Sequence, residues 1–158
     1  MLIPKVMACI FFCWSAGRAQ SVLGVSSASG VVGSTVTLNI ALNTAYPGSS
    51  AGLQWTLNAP RDEVESITMS PGPAALAAQS SLYCSNNTCL LIGLNLTPLG
   101  NGVVAVATLK LASIASGDLV IQLSGPAEAL LDGTSGSVTA TSGLVHVMPH
   151  VSPNVPRR

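Results

Sequence analysis

Hydrophobic and polar residues alternate along most of the chain after residue 21, in short runs that end at glycine or proline. In the clearest run, Val36, Leu38, Ile40 and Leu42 lie on one side of an extended segment, and threonine and asparagine lie on the other. Because successive side chains of a strand point to opposite faces, this period of two predicts strands with one buried face. The exception is the Ala-rich stretch 74–82, which predicts one short helix or a loop.

About eight or nine such runs follow one another at short spacing, with turn signals at 100–102 and 132–137 between them. Many short strands and almost no helix predict an all-β, antiparallel β-sandwich. The chain has 158 residues, which is the size of one ordinary domain, and we assign the sandwich to residues 20–148. The last ten residues, 149–158, include three prolines and predict a flexible tail.

Trp55 raises the question of whether a ring is displayed to a ligand or buried in the core. Leu53 and Leu57 flank it in phase, so all three side chains fall on the same face of one strand. Gln54 and Thr56 take the opposite face. A tryptophan between two in-phase leucines indicates a core position, and interest therefore passes to the two polar neighbours.

The first 19 residues have the pattern of a secretory signal peptide. A short basic start precedes an apolar run, and small residues then allow cleavage after Ala19. The apolar run is too short to anchor the chain in a bilayer, and no later stretch predicts a membrane span. This pattern predicts export to the extracellular space, the cell surface or a periplasm. Cleavage of the signal peptide leaves Cys84 and Cys89 as the two cysteines of the mature chain, and in an oxidising compartment such a pair predicts a disulfide.

Charged residues make up only 8% of the chain, and the formal net charge is zero. Such a surface lacks the basic footprint that nucleic-acid binding requires. Six acidic residues follow the signal segment, three of them crowded into one turn, and they form no catalytic pair that the sequence reveals: Asp62, Glu63, Glu65, Asp118, Glu128 and Asp132. We therefore predict no enzyme activity, no cofactor and no metal site, while a metal ion in the 132–137 loop stays an open alternative.

Four segments, taken in order, resemble the cohesin family. They are GSTVTLNIAL at 33–42, AGLQWTLNAPRDEVESITMSPG at 51–72, GNGVVAVATLKLAS at 100–113 and TSGLVHV at 141–147. The resemblance implies a nine-strand jelly-roll sandwich without catalysis, in an extracellular setting that is often polysaccharide breakdown. It also implies that one sheet face docks a protein partner, which in that family is a dockerin.

A surplus of apolar side chains points to a possible docking face. Lys110 must face solvent, so alternation places Thr108, Val106 and Val104 beside it. If the strands are neighbours as in cohesins, this set joins Gln54 and Thr56 in one patch. We predict that a partner binds these six residues: Gln54, Thr56, Val104, Val106, Thr108 and Lys110.

The segment 90–96 is apolar on both faces, which indicates either an interaction patch or a face covered by another part of the chain or a second copy.

Two further hypotheses stay open. One is a carbohydrate-binding module that uses loop residues near Tyr46 and Tyr83, and the other is a structural or adhesive subunit that forms a homodimer through the same face.

Overall fold

A computed structural model describes residues 19–150 of the protein. Within them the chain forms twelve strands and one five-residue helix. The strands are β1 Ser21–Val25, β2 Ala28–Val31, β3 Thr35–Asn43, β4 Ser50–Asn58, β5 Val64–Pro71, β6 Ser80–Ser85, β7 Thr88–Gly93, β8 Gly102–Leu111, β9 Gly117–Leu130, β10 Ser135–Gly136, β11 Val138–Thr141 and β12 Gly143–Met148. Residues 1–18 of the predicted signal peptide and residues 151–158 of the predicted tail lie outside the described residues.

The strands form two sheets that enclose a common core. The five-stranded sheet has the order β11-β1-β3-β8-β5. The seven-stranded sheet has the order β2-β12-β9-β4-β7-β6, and β10 pairs with β9 beside it. The predicted all-β sandwich is confirmed, and its neighbouring strands are antiparallel except in the pairs β1–β11 and β2–β12.

The strand count exceeds the predicted nine because the chain switches from one sheet to the other near each end of the described sequence, and because the two-residue strand β10 pairs beside β9. β1 belongs to the five-stranded sheet, and β2 follows after Ser26 and Ser27 in the other sheet. β11 and β12 divide in the same way at Ser142. These two corners pack together so closely that a Cβ on Gly143 would overlap the carbonyl oxygen of Ser26.

The core consists of the inward side chains of both sheets, as the alternation predicted. The four aliphatic residues of β3 are buried, and Trp55 of β4 is completely inaccessible between Leu53 and Leu57. Its indole Nε1 has no hydrogen-bond partner among residues 19–150. Trp55 is therefore a core residue, and the prediction that placed it there is confirmed.

The Ala-rich stretch forms the short helix α1, Pro73–Ala77. Proline is favourable in the first helical turn because its missing N–H has no helical acceptor there. Ala75 is buried, and the chain leaves the helix through Gln79 in a left-handed conformation (φ 52°). Within the described part of the chain, no helix is long and apolar enough to cross a membrane.

Candidate partner-binding surface

The outer face of the seven-stranded sheet carries an exposed apolar surface across four adjacent strands. Tyr83 of β6 pairs with Leu90 of β7, which pairs with Gln54 of β4, which pairs with Ala127 of β9. Directly opposite residues on neighbouring strands present their side chains on the same face. Tyr83 is 60% exposed and Leu90 40% exposed, so large apolar side chains meet solvent here. We call the outer side of β6, β7, β4 and residues 124–130 of β9 the apolar face.

A shallow depression of about 370 Å³ lies at the centre of this face. Gly52 of β4 forms part of its lining. Gly52 pairs with Ile92 of β7 on one side and with Ala129 of β9 on the other. A Cβ at position 52 would lie 2.9 Å from the carbonyl oxygen of Leu91, so the close approach of β7 at this buried position requires glycine. Most of the residues that line the depression are small or apolar.

Polar side chains border the apolar face on one side and bond to each other. The hydroxyls of Thr56 and Thr88 lie 2.8 Å apart on the paired strands β4 and β7. The amide Nδ2 of Asn58 donates to Ser124 Oγ at 2.7 Å across β4 and β9. This polar border satisfies its own hydrogen bonds, so the apolar centre distinguishes the surface.

Within the described chain, no charged side chain occupies an outward position on the apolar face, and the exposed Asp118 lies at the opposite end of β9. The acidic residue on this part of β9, Glu128, points inward opposite Leu53 and is only 2% exposed. Its Oε1 accepts a hydrogen bond from the Thr44 hydroxyl at 3.1 Å, and its Oε2 has no partner among residues 19–150. A partner would therefore meet an uncharged surface.

The predicted six-residue patch is wrong as a single surface, because its members lie on different sheets. Gln54 and Thr56 belong to the seven-stranded sheet, whereas β8 lies between β3 and β5 in the other sheet. Val106, Thr108 and Lys110 do share one outward face, as predicted, but it is the opposite side of the sandwich.

Val104 is a second correction, because it is fully buried rather than outward. Ala105 pairs with Ile40 and Val103 pairs with Ala41, so the register skips Val104. A bulge of this kind inserts an extra residue and shifts the alternation by one position. Strict alternation counted from Lys110 therefore fails beyond the bulge.

The two tyrosines of the carbohydrate hypothesis do not form a common surface. Tyr83 lies on the edge strand β6, whereas Tyr46 packs near Gly136 of β10, with β7, β4 and β9 between the two strands. At the usual spacing between strands this separation is about 19 Å. Tyr46 is half-buried, and its hydroxyl accepts a hydrogen bond from the backbone N–H of Ser137 at 2.9 Å. Its position gives it a structural role at the end of the sandwich.

Cys84 and Cys89 form the predicted disulfide, across the hairpin that joins β6 and β7. The two residues of the turn, Asn86 and Asn87, have positive φ angles of 47° and 66°. Such angles at both central residues are typical of the tight turn whose twist matches that of paired strands. The disulfide and the turn together hold Tyr83 beside Leu90 on the apolar face.

The residues considered for metal binding or catalysis remain apart. No three His, Cys, Asp or Glu side chains within residues 19–150 are close enough to hold an ion. In the 132–137 loop, Asp132 Oδ1 accepts hydrogen bonds from the N–H and hydroxyl of Thr134 at 2.9 and 2.7 Å. These bonds lower the pKa of Asp132 below its ordinary value, with the hydroxyl as the larger cause. The loop is a turn that its own side chains stabilise.

Solved structures with the same arrangement of strands are cohesins. The sixth cohesin of scaffoldin B from Acetivibrio cellulolyticus, solved in complex with a Cel5 dockerin, superposes with a TM-score of 0.68. The match covers 82% of this chain and 99% of that one, at 16% identity. The chain has a cohesin fold.

Two further cohesins give the same result. The OlpA cohesin of Clostridium thermocellum, solved with the dockerin Doc918, matches with a TM-score of 0.70 at 11% identity over 82% of this chain and 99% of that chain. A non-cellulosomal cohesin from the archaeon Archaeoglobus fulgidus matches with a TM-score of 0.64 at 18% identity over 82% and 92%. No protein-family profile and no curated protein sequence matches the chain. The cohesin-like relationship is therefore seen in the structure and hardly at all in sequence identity.

The exposed residues Leu90, Ala127 and Ala129 and the half-buried Ile92 were absent from the predicted site, although one sequence signal pointed to Leu90 and Ile92. Segment 90–96 is apolar at successive positions, and the structure places Leu91 in the core and Leu90 and Ile92 on the outer side. The two alanines carried no such signal, because alanine is common on either side of a strand. Their place beside the depression depends on the pairing of β9 with β4.

Proposed function

We propose that this cohesin-like domain docks a protein partner on the apolar face. The observation that carries the proposal is the mainly apolar depression over Gly52, bordered by exposed Leu90 and half-buried Ile92. Exposed apolar patches are costly in water and often mark interaction sites. Several cohesins of the same fold were solved with a dockerin bound, which supports a protein as the partner.

The chemistry of the surface defines the partner that it fits. An apolar side chain of the partner can enter the depression, while Gln54 offers both a hydrogen-bond donor and an acceptor at its border. Burial of such an anchor in a small, dry pocket usually supplies most of the binding energy of an interface. We infer a partner segment with one or two apolar anchors and few charges at its centre.

The extracellular setting is part of the proposal. The signal-peptide pattern of residues 1–19 and the disulfide between Cys84 and Cys89 support secretion. The resemblance to cohesins supports an assembly linked to polysaccharide breakdown. Amino-terminal sequencing of the secreted protein should give Gln20 as the first residue, and a product that retains residues 1–19 would contradict export by cleavage.

The docking proposal is tested with matched charged substitutions. Leu90→Glu places a carboxylate at the depression, whereas Leu144→Glu places one on β12 of the same sheet, at a residue of similar exposure (45% against 40%). Val106→Glu is the control on the opposite sheet. Each immobilised full-length variant is used to capture proteins from the secreted fraction of its own host, after circular dichroism has shown that it folds.

We expect a partner that the parent protein and both controls retain and that Leu90→Glu loses. Titration calorimetry with the purified partner should then show at least about thirtyfold weaker binding for Leu90→Glu, since a central anchor contributes about 2 kcal/mol or more. Equal binding by all four proteins would exclude the apolar face as the docking site. If the retained partner is a second copy of this chain, sedimentation will show a dimer that the same substitution dissociates, and the homodimer hypothesis then replaces docking of a different protein.

A further inference from the structure

The strand β6 forms one edge of the seven-stranded sheet and pairs on one side alone, with β7. The Cα atoms of Cys84 and Cys89 lie 4.1 Å apart, which is the short spacing of an opposite pair that exchanges no backbone hydrogen bonds. The N–H and C=O groups of Cys84 therefore point away from β7, and those of Leu82, two residues earlier, do the same. These groups have no backbone partner within residues 19–150. The free side of β6 can therefore accept another strand.

This edge carries none of the features that usually protect a sheet edge. Charged side chains, proline and bulges on an edge strand disfavour pairing with another chain. The edge strand β5 of the other sheet has all three, because it contains Glu65, ends at Pro71 and shifts its register between Val64 and Ser66. The other terminal strands, β2 and β11, are only four residues long. β6 has six residues, none of them charged or proline, and its pairing with β7 has no register shift.

The sequence of β6 is nearly symmetric about its middle. Residues 81–85 read Ser-Leu-Tyr-Cys-Ser, so Tyr83 stands between two apolar residues and then two serines. Two identical strands that pair antiparallel are related by a two-fold axis, which here passes between Tyr83 and its counterpart. Leu82 then lies opposite Cys84 of the second copy, and the two residues exchange the backbone hydrogen bonds that they do not make within the described chain. Apolar residues meet apolar residues and serines meet serines, so the edge is complementary to itself.

Pairing in this register brings the two Tyr83 side chains next to each other. Tyr83 is 60% exposed on the apolar face, and its place at the axis is a pair without backbone hydrogen bonds, in which opposite side chains are closest. Aromatic pairs across neighbouring strands are favourable. We propose that two copies of this chain pair antiparallel along β6, with Tyr83 at the two-fold axis, and so join their seven-stranded sheets into one. The two apolar faces then lie on the same side of the joined sheet.

The dimer is tested by sedimentation of the chain as its own host produces it, after circular dichroism has shown that each variant folds. The parent should form a dimer whose fraction rises with concentration. Tyr83→Lys and Tyr83→Glu each place like charges across the axis and remove the aromatic pair, so each alone should dimerise at least about tenfold more weakly. An equimolar mixture of the two variants should restore the dimer, because lysine then meets glutamate across the axis.

Leu90→Glu is the matched control, because Leu90 lies opposite Tyr83 on the apolar face, one strand farther from the edge. Its two carboxylates would be three strand spacings apart in the dimer, about 14 Å, which is beyond the range of unscreened repulsion, so this variant should dimerise as the parent does. A parent that stays monomeric, a mixture of the Tyr83 variants that does not associate, or a dimer that Leu90→Glu dissociates would overturn the edge pairing.

The edge dimer and the docking proposal succeed or fail separately. Copies of this chain that every capture variant retains equally, Leu90→Glu included, would support the edge dimer. A different protein that Leu90→Glu alone loses would support docking on the apolar face.

Discussion

The outer faces of the two sheets cover the same core but present different chemistry to solvent. On the five-stranded sheet, Thr37, Thr108 and Thr68 form one row across β3, β8 and β5. The next row contains Lys110, whose Nζ donates to the carbonyl oxygen of Gly33. On the seven-stranded sheet the equivalent central row is Tyr83, Leu90, Gln54 and Ala127.

The outer face of the five-stranded sheet is polar and stable in contact with water, whereas the apolar face of the seven-stranded sheet has the chemistry of a binding surface. Threonine has a high preference for strands and gives its neighbours a hydroxyl, so a threonine row is stable in water without a covering partner. Leucine and isoleucine beside a glycine-lined depression gain stability when water is removed from them. The two faces therefore predict different responses to the same kinds of substitution.

The largest change in stability should come from substitution of Trp55, which lies on the inner face of β4 beside the outward Thr56. Trp55→Ala should lower the free energy of unfolding by about 3–5 kcal/mol, because it leaves a large cavity between the sheets. Thr56→Ala, its outward neighbour, loses an exposed hydroxyl contact with Thr88 and should cost no more than about 1 kcal/mol. Urea unfolding followed by circular dichroism measures both.

Trp55→Phe is the control for ring size. It removes part of the buried surface but also removes an indole N–H that has no partner among the described residues. Since an unsatisfied buried donor is itself unfavourable, this variant should lose clearly less stability than Trp55→Ala. Equal losses for Trp55→Ala and Thr56→Ala would show that β4 does not separate a core face from a solvent face.

A smaller effect should distinguish the two valines of β8 on either side of Ala105. Val104 is buried at the bulge, so Val104→Ala should cost about 2 kcal/mol in unfolding free energy. Val106 is half-buried on the outer face of the five-stranded sheet, so Val106→Ala should cost about 0.5 kcal/mol or less. The same urea titration measures the pair, and the reverse ranking would contradict the bulge.

The sequence predicted most of the strands, the core and the disulfide because these depend on local patterns, but it did not predict β6 or β11. Alternation within β3 and β4 determined which side chains are buried, and residues 53, 55 and 57 were assigned correctly. Cys84 and Cys89 are five residues apart on either side of a turn, so their pairing needed no knowledge of distant contacts. The same patterns left a short helix or a loop open for the Ala-rich stretch, and the structure has a short helix there.

The docking surface could not be predicted in the same way, because it depends on which strands are neighbours. Alternation shows that Gln54 and Thr56 share a face and that Val106 and Thr108 share a face. It does not show whether β4 and β8 belong to one sheet, and they do not. Strand pairing is a long-range property, and so is a bulge such as that at Val104, which is visible only against its partner strand.

The smallest effect concerns the ends of the sandwich, where charges are found instead of on the apolar face. The hydroxyl and N–H of Thr134 lower the pKa of Asp132, so this carboxylate adds stability above its unfolded pKa and loses it as the pH falls through the lower folded value. Thr134→Val removes the hydroxyl and should raise the pKa of Asp132 toward its ordinary 3.8. Carboxyl NMR titration measures the change, with Thr141→Val on β11 as the control that should leave Asp132 unaffected. An Asp132 titration identical in Thr134→Val and the parent would show that the hydroxyl does not hold the carboxylate, whereas a higher Asp132 pKa in Thr134→Val alone would show that it does.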